Sequence, residues 1–192
     1  MARNREFDEN VVLQKAMELF WEQGYEKTSI NDLVERMGVH RRSLYDTFGD
    51  KHALFMMAID RYESATKSNL ESLVSRSKSA KQAIRFIFDY MIEGSEDGPT
   101  GCLFVNSAVE LASRDSEVDA KACESFKFTE ELLAELIRKG QHNGEFQSKE
   151  FAEVLAASLH NTLLGIRVLV QTSVGKDKLN LIANFSMSLL DK

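Results

Sequence analysis

The sequence has 192 residues, of which 28% are charged and 43% hydrophobic, and its formal net charge at pH 7 is -6. This composition is typical of a folded globular chain rather than a disordered one, and the negative charge gives no support of its own to a nucleic-acid partner. No apolar run approaches the roughly 20 residues that span a bilayer, and residues 1–10 lack a basic-then-apolar leader. We therefore expect a cytoplasmic protein without a membrane partner.

A single proline and ten scattered glycines leave the chain free to form long helices, which predicts an all-α fold of about nine helices. The first helix is expected over 8–24, because apolar residues recur there at helical spacing between a capping aspartate and a terminating glycine. A second helix is predicted from Thr28 or Ser29, either of which can cap it, to Gly38. A third is expected over 40–48.

The rest of the chain is predicted to form six further helices. Capping residues precede several of them, apolar residues recur at helical spacing within them, and the polar segment 93–101 is the clearest loop. The segment 102–112 is apolar nearly all round, so we expect a buried helix there. In chain order, the six expected helices are 50–74, 79–92, 102–112, 116–140, 148–174 and 176–190.

The second and third predicted helices lie on either side of a short glycine turn at 38–39. This arrangement is the signature of a helix-turn-helix, whose second helix enters the major groove of DNA. In the third helix, Leu44 and Phe48 are four positions apart and form a buried stripe, which leaves the other side chains to face outward. Residues 1–51 hold eight basic and ten acidic residues, a net charge of -2, but the segment 40–45 has two arginines and no acid. The placement of charge, rather than its sum, therefore favours DNA binding.

Residues 28–51 read TSINDLVERMGVHRRSLYDTFGDK, and AMELF at 16–20 precedes them. Over residues 7–54 the chain closely resembles the N-terminal domain of the TetR/AcrR family. The resemblance implies a bacterial transcriptional regulator that binds double-stranded operator DNA as a homodimer, with residues 1–51 as the DNA-binding domain and residues 52–192 as the effector-binding and dimerisation domain. It further implies a repressor that leaves a palindromic operator when a small hydrophobic or electrophilic effector binds. An activator stays open as an alternative.

The predicted DNA-contacting residues belong to the third helix, to the starts of its neighbours and to the N-terminal tail. Arg41 and Arg42 can reach guanine O6 and N7 in the major groove, and the N-terminus of the third helix offers N–H groups to phosphates. The family pattern often has a small residue at the position of Arg42, which makes Arg42 a candidate specificity residue. The full predicted set is Arg3, Arg5, Thr28, Ser29, His40, Arg41, Arg42, Ser43, Tyr45 and Lys51.

In TetR-like regulators, helices four to seven enclose an effector pocket, and this sequence offers aromatic residues and a few polar groups for one. Asn106 and Glu110 lie four positions apart in an otherwise apolar helix, and a buried amide needs hydrogen-bond partners. Packing in the core is the alternative role of each side chain. The predicted effector-contacting residues are Phe86, Tyr90, Cys102, Phe104, Asn106, Phe126 and His160.

Cys102 stands where the loop at 93–101 becomes a helix. A thiol at a helix N-terminus has a stabilised thiolate and reacts more readily with oxidants and electrophiles. The segment Gly-Cys-Leu at 101–103 also resembles that of a TetR-type regulator that senses electrophiles such as N-ethylmaleimide. Two interpretations stay open, a sensor thiol and an inert cysteine that fills space.

The last two predicted helices are more apolar than one monomer core should need. By resemblance, they would pair with the same helices of a partner subunit in an isologous four-helix interface. The alternative is that they only complete the monomer core. The predicted interface residues are Leu155, Leu159, Leu163, Ile166, Leu179, Ile182, Phe185 and Leu189.

An all-α enzyme is an alternative of a different class. A di-iron bundle needs Glu-x-x-His pairs, and none of the four histidines has a glutamate three positions before it. No nucleophile–base set or phosphate-binding loop stands out, and the two cysteines match no zinc spacing. We therefore predict no catalytic residue, no metal site and no cofactor. A dimeric binding or scaffold protein that has lost DNA contact is a third alternative, against which Arg41 and Arg42 argue.

Overall fold

The computed structural model describes residues 7–94 and 98–191, which form nine α-helices and a short 3₁₀ helix and contain no β-strand. The predicted all-α fold is thereby confirmed. Within the same residues, no helix is both long enough and apolar enough to cross a membrane. In chain order the helices are α1 (Glu9–Gln23), α2 (Ile30–Met37), α3 (Arg41–Phe48), α4 (Lys51–Ser75), α5 (Ala80–Glu93), α6 (Leu103–Leu111), α7 (Ser116–His142), α8 (Ala152–Leu169), α9 (Lys176–Met187) and the 3₁₀ helix (Ser188–Asp191).

The first three helices form the predicted helix-turn-helix, and local hydrogen bonds set their ends. The Asp8 side chain caps α1 by accepting a backbone N–H of the first turn. Ser29, rather than Thr28, caps α2: its hydroxyl accepts the Asp32 N–H, and the Asp32 carboxylate accepts the Ser29 N–H. α2 ends at Gly38, whose φ of 71° lies in the left-handed region that glycine adopts without strain. This glycine lets the chain turn directly into α3.

Two predicted helices differ from those of the structure. α8 begins after Phe151 instead of at Ser148. The Ser148 N–H donates to the Leu190 carbonyl, and the Ser148 carbonyl accepts from the Gln141 amide, so the backbone before α8 is already engaged elsewhere. α6 is buried on one side only, because Val109 is 85% exposed.

The buried apolar residues form two hydrophobic cores. The first joins α1–α3 to the N-terminal half of α4 and extends to α6 through Leu103 and Phe104. The second packs α5 against α7, α8 and α9. The domain boundary predicted between residues 51 and 52 stays a prediction. Packing continues across it, because Phe55 and Ile59 of α4 are buried in the first core.

A carboxylate on α6 ties the second half of the chain to the helix-turn-helix. Glu110 accepts the N–H of Tyr25 at 2.9 Å and the N–H of Glu26 at 2.8 Å, both in the turn between α1 and α2. Gly24 has a φ of 82°, and a Cβ at this position would lie 2.9 Å from the Glu110 carboxylate. The turn and α6 therefore approach so closely that glycine is required between them.

Candidate DNA-binding surface and effector cavity

The recognition helix α3 is anchored on one face and open on the other. Leu44 has no exposed surface and Phe48 is 3% exposed, so the predicted apolar stripe is buried against the first core. On the opposite face, His40 and Arg41 are exposed, and Tyr45 is 43% exposed. The helix thus turns polar and basic side chains to the solvent from a fixed base.

The two arginines of α3 are held differently. Arg41 Nη2 donates to the side-chain oxygen of Asn31 at 2.5 Å, which ties Arg41 to α2. The Arg42 side chain is 83% exposed and pairs with Asp46 at 3.6 Å, one helical turn further on. An exposed pair of this kind contributes less than about 1 kcal/mol. Arg41 therefore starts from a defined position, whereas Arg42 can exchange Asp46 for another partner at little cost.

Further donors surround the start of α3. Among the described residues, no side chain caps its N-terminus, so the first N–H groups and the positive end of the helix dipole are available to an anion. Lys51 Nζ lies 4.2 Å from the centre of the Tyr25 ring, a cation–π contact at the start of α4. The predicted DNA-contacting residues that reach the surface are Ser29, His40, Arg41, Arg42, Ser43, Tyr45 and Lys51.

The predicted DNA contact of the Thr28 side chain is wrong. Thr28 has no exposed surface, and its hydroxyl donates to the Gly24 carbonyl at 2.6 Å. The side chain closes the turn after α1 and cannot reach a phosphate. Serine and threonine have similar capping preferences, so the sequence could not decide which of the two neighbours faces the solvent. Arg3 and Arg5 lie outside the described residues.

An internal cavity of about 40 Å³ lies where α4, α5, α6, α7 and α8 meet. It brings together five of the predicted effector-contacting residues: Tyr90, Cys102, Phe104, Phe126 and His160. Other lining residues were not predicted, among them Tyr62, Thr66 and Thr129. Arg167, the one charge within the apolar run 163–170, also lines the cavity, as its sequence position allowed.

Two predicted effector contacts lie outside this cavity. Phe86 is on another face of α5 and lines a surface groove with Met187. The Asn106 side-chain oxygen accepts the Gln171 amide at 3.1 Å, away from the cavity lining. Its neighbour Glu110 is engaged with the turn after α1. Helical spacing correctly predicted that Asn106 and Glu110 share a face, but it did not predict which neighbour covers that face.

The cavity combines neutral polar groups with one cation. Burial raises the pKa of the Tyr62 hydroxyl, which stays protonated at neutral pH. Burial also lowers the pKa of His160, against the opposing effect of Glu130, whose carboxylate is 3.6 Å from His160 Nδ1. Arg167 Nη1 donates to the Met91 carbonyl at 2.8 Å, near the C-terminal end of α5.

An open cleft of about 740 Å³ adjoins the cavity. Trp21 of α1 lines one side of the cleft, while Tyr62, Thr66 and Tyr90 line both the cleft and the cavity. Tyr90 is half-buried, and its hydroxyl accepts the Asn69 amide at 3.1 Å. Tyr62, Thr66 and Tyr90 therefore lie between the cavity and the open cleft.

Two family models match the chain. The one described as "Tetracyclin repressor-like, C-terminal domain" matches residues 80–181, more than half of the chain, and "Bacterial regulatory proteins, tetR family" matches residues 12–56. The chain belongs to the TetR family. The two matches fall on the two halves of the TetR plan, with the helix-turn-helix in the first and most of the cavity wall in the second.

Relatives of this TetR-family chain are transcriptional regulators rather than enzymes. The uncharacterised HTH-type transcriptional regulator YezE of Bacillus subtilis is 31% identical, and the match covers 100% of both chains. The HTH-type transcriptional repressor ComR of Escherichia coli is 30% identical over 97% of this chain and 90% of its own. A cysteine mutant of the TetR family regulator CifR, solved with 26-bp double-strand operator DNA, is 26% identical with a TM-score of 0.86 and covers 98% of this chain and 100% of its own. The chain is therefore a DNA-binding transcriptional regulator of the TetR type.

Most residues predicted for a dimer interface face the core of this TetR-family subunit instead. Ile182 and Leu189 are half-buried against the second core, and only Phe185, at 67%, is well exposed. α8 and α9 must cover α5 and α7, which uses most of their apolar residues within one subunit. The residues that are at most 7% exposed are Leu155, Leu159, Leu163, Ile166 and Leu179. The apolar residues that these helices turn outward are Val154, Val168, Leu181 and Phe185.

Proposed function

We propose that this TetR-family protein is a homodimeric repressor that binds a palindromic operator with α3 and leaves it when a small hydrophobic or electrophilic effector enters the cavity. The observation that carries the proposal is the outward face of α3, where Arg41 and Arg42 are exposed on an anchored helix. The name of the E. coli relative, a transcriptional repressor, supports repression. The operator complex of CifR supports double-stranded DNA as the partner. Its place of action would be the bacterial cytoplasm.

Base contacts and phosphate contacts with DNA would come from different residues. Arg41 and Arg42 would read guanine in the major groove, where a bidentate arginine contact discriminates between bases. Ser29, Tyr45 and Lys51 would bind phosphates and fix the register of the helix on the duplex. The acidic remainder of the chain, with a total net charge of -6, would weaken non-specific binding.

Dimerisation would use the outer faces of α8 and α9. On α8, Val154 and Val168 are exposed at either end of a strip that has the small exposed residues Ala157 and Gly165 between them. Small residues let two helices approach closely, and Leu181 of α9 adds exposed apolar surface beside them. The strip can meet its own copy across a two-fold axis. Two α3 helices related by that axis would read half-sites about 34–36 Å apart.

Helix α4 would couple effector binding in the cavity to the position of α3. This helix runs without interruption from Lys51 at the candidate DNA-binding surface to Tyr62 at the cavity, a rise of about 17 Å for eleven residues. A ligand that displaces Tyr62 would tilt α4 and change the separation of the two α3 helices. Operator fit depends on that separation, so the ligand would favour the unbound state.

Selection of bound sequences from a random DNA pool tests the proposal. We expect a palindrome, because a two-fold symmetric dimer binds two equivalent half-sites. We expect guanine in each half-site, because the arginines of α3 would contact it. In gel-shift titrations with that sequence, Arg41→Ala and Arg42→Ala should each weaken binding by roughly tenfold or more, since a bidentate base contact contributes about 1–3 kcal/mol.

Arg138→Ala is the matched control for both variants. Arg138 is a half-exposed arginine of α7 that pairs with Glu153 at 3.1 Å, far along the chain from α3. Its removal should leave the operator affinity within about twofold, because an exposed ion pair contributes little to stability. If all three variants bound the selected DNA equally well, α3 would not be the recognition helix. A selected sequence without a palindrome would contradict the dimer.

Cys102 supports the electrophilic branch of the proposal. It is a half-buried free cysteine at the start of α6, it lines the cavity, and it neighbours the Tyr62 hydroxyl. Cys123 is also free but exposed on α7, which makes Cys123→Ser a matched control. We expect N-ethylmaleimide to release the operator from the parent and from Cys123→Ser, and not from Cys102→Ser. Equal release from all three would exclude sensing through this thiol.

A further inference from the structure

Arg167 is a buried arginine for which the described part of the chain supplies no carboxylate partner. The residue is 8% exposed on α8 and lines the cavity, and none of the thirteen lining residues is acidic. Within residues 7–94 and 98–191, no carboxylate lies within 4 Å of its guanidinium, and its side chain donates to the Met91 carbonyl alone. A guanidinium has five N–H groups, and buried charges in proteins are normally paired. The guanidinium therefore has N–H groups, beyond the one that bonds to Met91, for which the described residues supply no acceptor.

The surroundings of Arg167 are suited to an apolar body attached to an anion. Phe104, Phe126 and Leu163 supply apolar surface, and the neutral Thr129 hydroxyl among them donates to the Ser125 carbonyl at 3.3 Å. The Glu130 carboxylate contacts His160 from a position that is 46% exposed and does not line the cavity. An anionic ligand would therefore meet no repulsion from the cavity wall.

We infer that the effector is a small monocarboxylate with a ring-sized apolar body, whose carboxylate pairs with Arg167 and whose ring packs between Phe104 and Phe126. A planar carboxylate can accept two parallel N–H bonds from a guanidinium, which gives both strength and orientation. The inference rests on the proposed function only in taking the cavity as the effector site.

The size of the cavity sets how such a ligand enters. A volume of about 40 Å³ holds about three water molecules at 10–15 Å³ each, which is less than a ring requires. Tyr90 divides the cavity from the cleft of about 740 Å³, and one hydrogen bond from Asn69 holds its hydroxyl. Rotation of Tyr90 would join the two spaces, so that volume from the cleft becomes available to the ring beside Phe104 and Phe126.

A structural role of Arg167 is the competing explanation. The guanidinium lies by a carbonyl in the last turns of α5, where a cation also interacts favourably with the helix dipole. Arg167→Gln separates the two roles, because glutamine keeps an N–H donor for the Met91 carbonyl and removes the charge. Arg138→Gln, on the exposed face of α7, is the matched control.

Benzoate and benzamide are the probes, since they share size and shape and differ in charge. Calorimetric titration of the full-length parent, without DNA, should give a dissociation constant for benzoate about tenfold or more below that for benzamide, as expected for a charge-assisted pair in a buried site. Arg138→Gln should keep this ratio, and Arg167→Gln should reduce it to about one. Thermal denaturation confirms that both variants are folded.

Three outcomes would overturn the inference: equal binding of the two probes by the parent, binding of neither at millimolar concentration, or an unchanged ratio in Arg167→Gln. Operator binding is measured separately on the same samples by gel shift. A parent that binds the operator but does not prefer benzoate over benzamide would reject the ligand class and leave the regulator proposal standing. Selective benzoate binding by a parent that selects no DNA would reject the regulator proposal and leave the ligand class standing.

Discussion

Arginine has opposite surroundings in the two functional regions of this protein. At the DNA-binding surface, the side chain of Arg42 is 83% exposed and shares its charge with Asp46, one turn away. In the cavity, Arg167 is 8% exposed and has a backbone carbonyl as its acceptor. Water solvates the first charge in the absence of DNA, whereas the surroundings of the second depend on what occupies the cavity.

The difference separates two ways in which a charge serves recognition. Exposed arginines such as Arg42 contribute to affinity together with their neighbours, and salt screens them. A buried arginine contributes specificity, because an uncharged ligand leaves its donors unpaired, and that penalty falls on the wrong ligand. We expect the surface around Arg42 to tolerate the loss of a single charge without a change in stability. In the cavity, we expect a change of the charge at Arg167 to alter the stability of the fold.

The largest effect is expected where the two regions are joined. Glu110→Ala removes a carboxylate that accepts the backbone N–H groups of Tyr25 and Glu26. Hydrogen bonds to a charged acceptor are stronger than neutral ones, and we expect the free energy of unfolding to fall by about 2 kcal/mol. For a chain of this size the melting temperature should fall by roughly 4–8 °C. Thermal denaturation followed by circular dichroism measures the change.

The control for this variant is Glu135→Ala, an exposed glutamate of α7. Its melting temperature should stay within about 1 °C of the parent, as is usual for surface substitutions. A Glu110→Ala variant that melts with the control would mean that the two regions unfold independently of this contact.

A smaller effect of opposite sign is expected at the buried arginine. Arg167→Met replaces an uncompensated buried charge by an apolar side chain of similar length, and this should raise the free energy of unfolding by about 1 kcal/mol. Arg42→Met should change it by less than about 0.5 kcal/mol, because the exposed pair with Asp46 contributes little. Chemical denaturation of the two variants gives both values. Destabilisation by Arg167→Met would show that its bond to the Met91 carbonyl outweighs the cost of burial.

The smallest effect is expected from pH, through His160. Burial lowers the pKa of His160 in the folded protein from its ordinary value of 6.5, so the folded state binds fewer protons than the unfolded chain below that pH. Stability from the neutral imidazole is therefore present above pH 6.5 and decreases as the pH falls below it. Melting temperatures between pH 7.5 and 5.5 should fall less in His160→Gln than in the parent. His142→Gln, at an exposed histidine, should follow the parent, and identical slopes in all three would exclude His160 as the cause.

Patterns within one helix correctly predicted the buried face of α3 and the turn before it. The spacing of Leu44 and Phe48 placed the buried face of α3, and the glycine at 38 placed the turn before it. Both follow from local geometry, which the sequence carries directly. Thr28 failed because its orientation depends on the preceding turn, where its hydroxyl bonds to the Gly24 carbonyl.

The cavity and the dimer face were harder to predict, because both depend on which neighbour a helix face meets. Asn106 was expected in the cavity and lies against Gln171 instead. Leu159 was expected in the dimer interface and is fully buried within the subunit. An α-helix with apolar residues on several faces does not reveal which face packs inside one subunit. Val154 and Leu181, which do face outward, differ from the buried residues in position and not in residue type.

The small volume of the cavity has a consequence for the concentration at which the regulator responds. If only a small fraction of molecules has Tyr90 turned aside at any moment, the apparent dissociation constant of an effector equals its intrinsic value divided by that fraction. In the proposed regulator, the packing around Tyr90 and its hydrogen bond from Asn69 would therefore set the effector concentration at which it responds. Substitutions at these two positions would change that concentration without altering the proposed pairing of Arg167 with the effector.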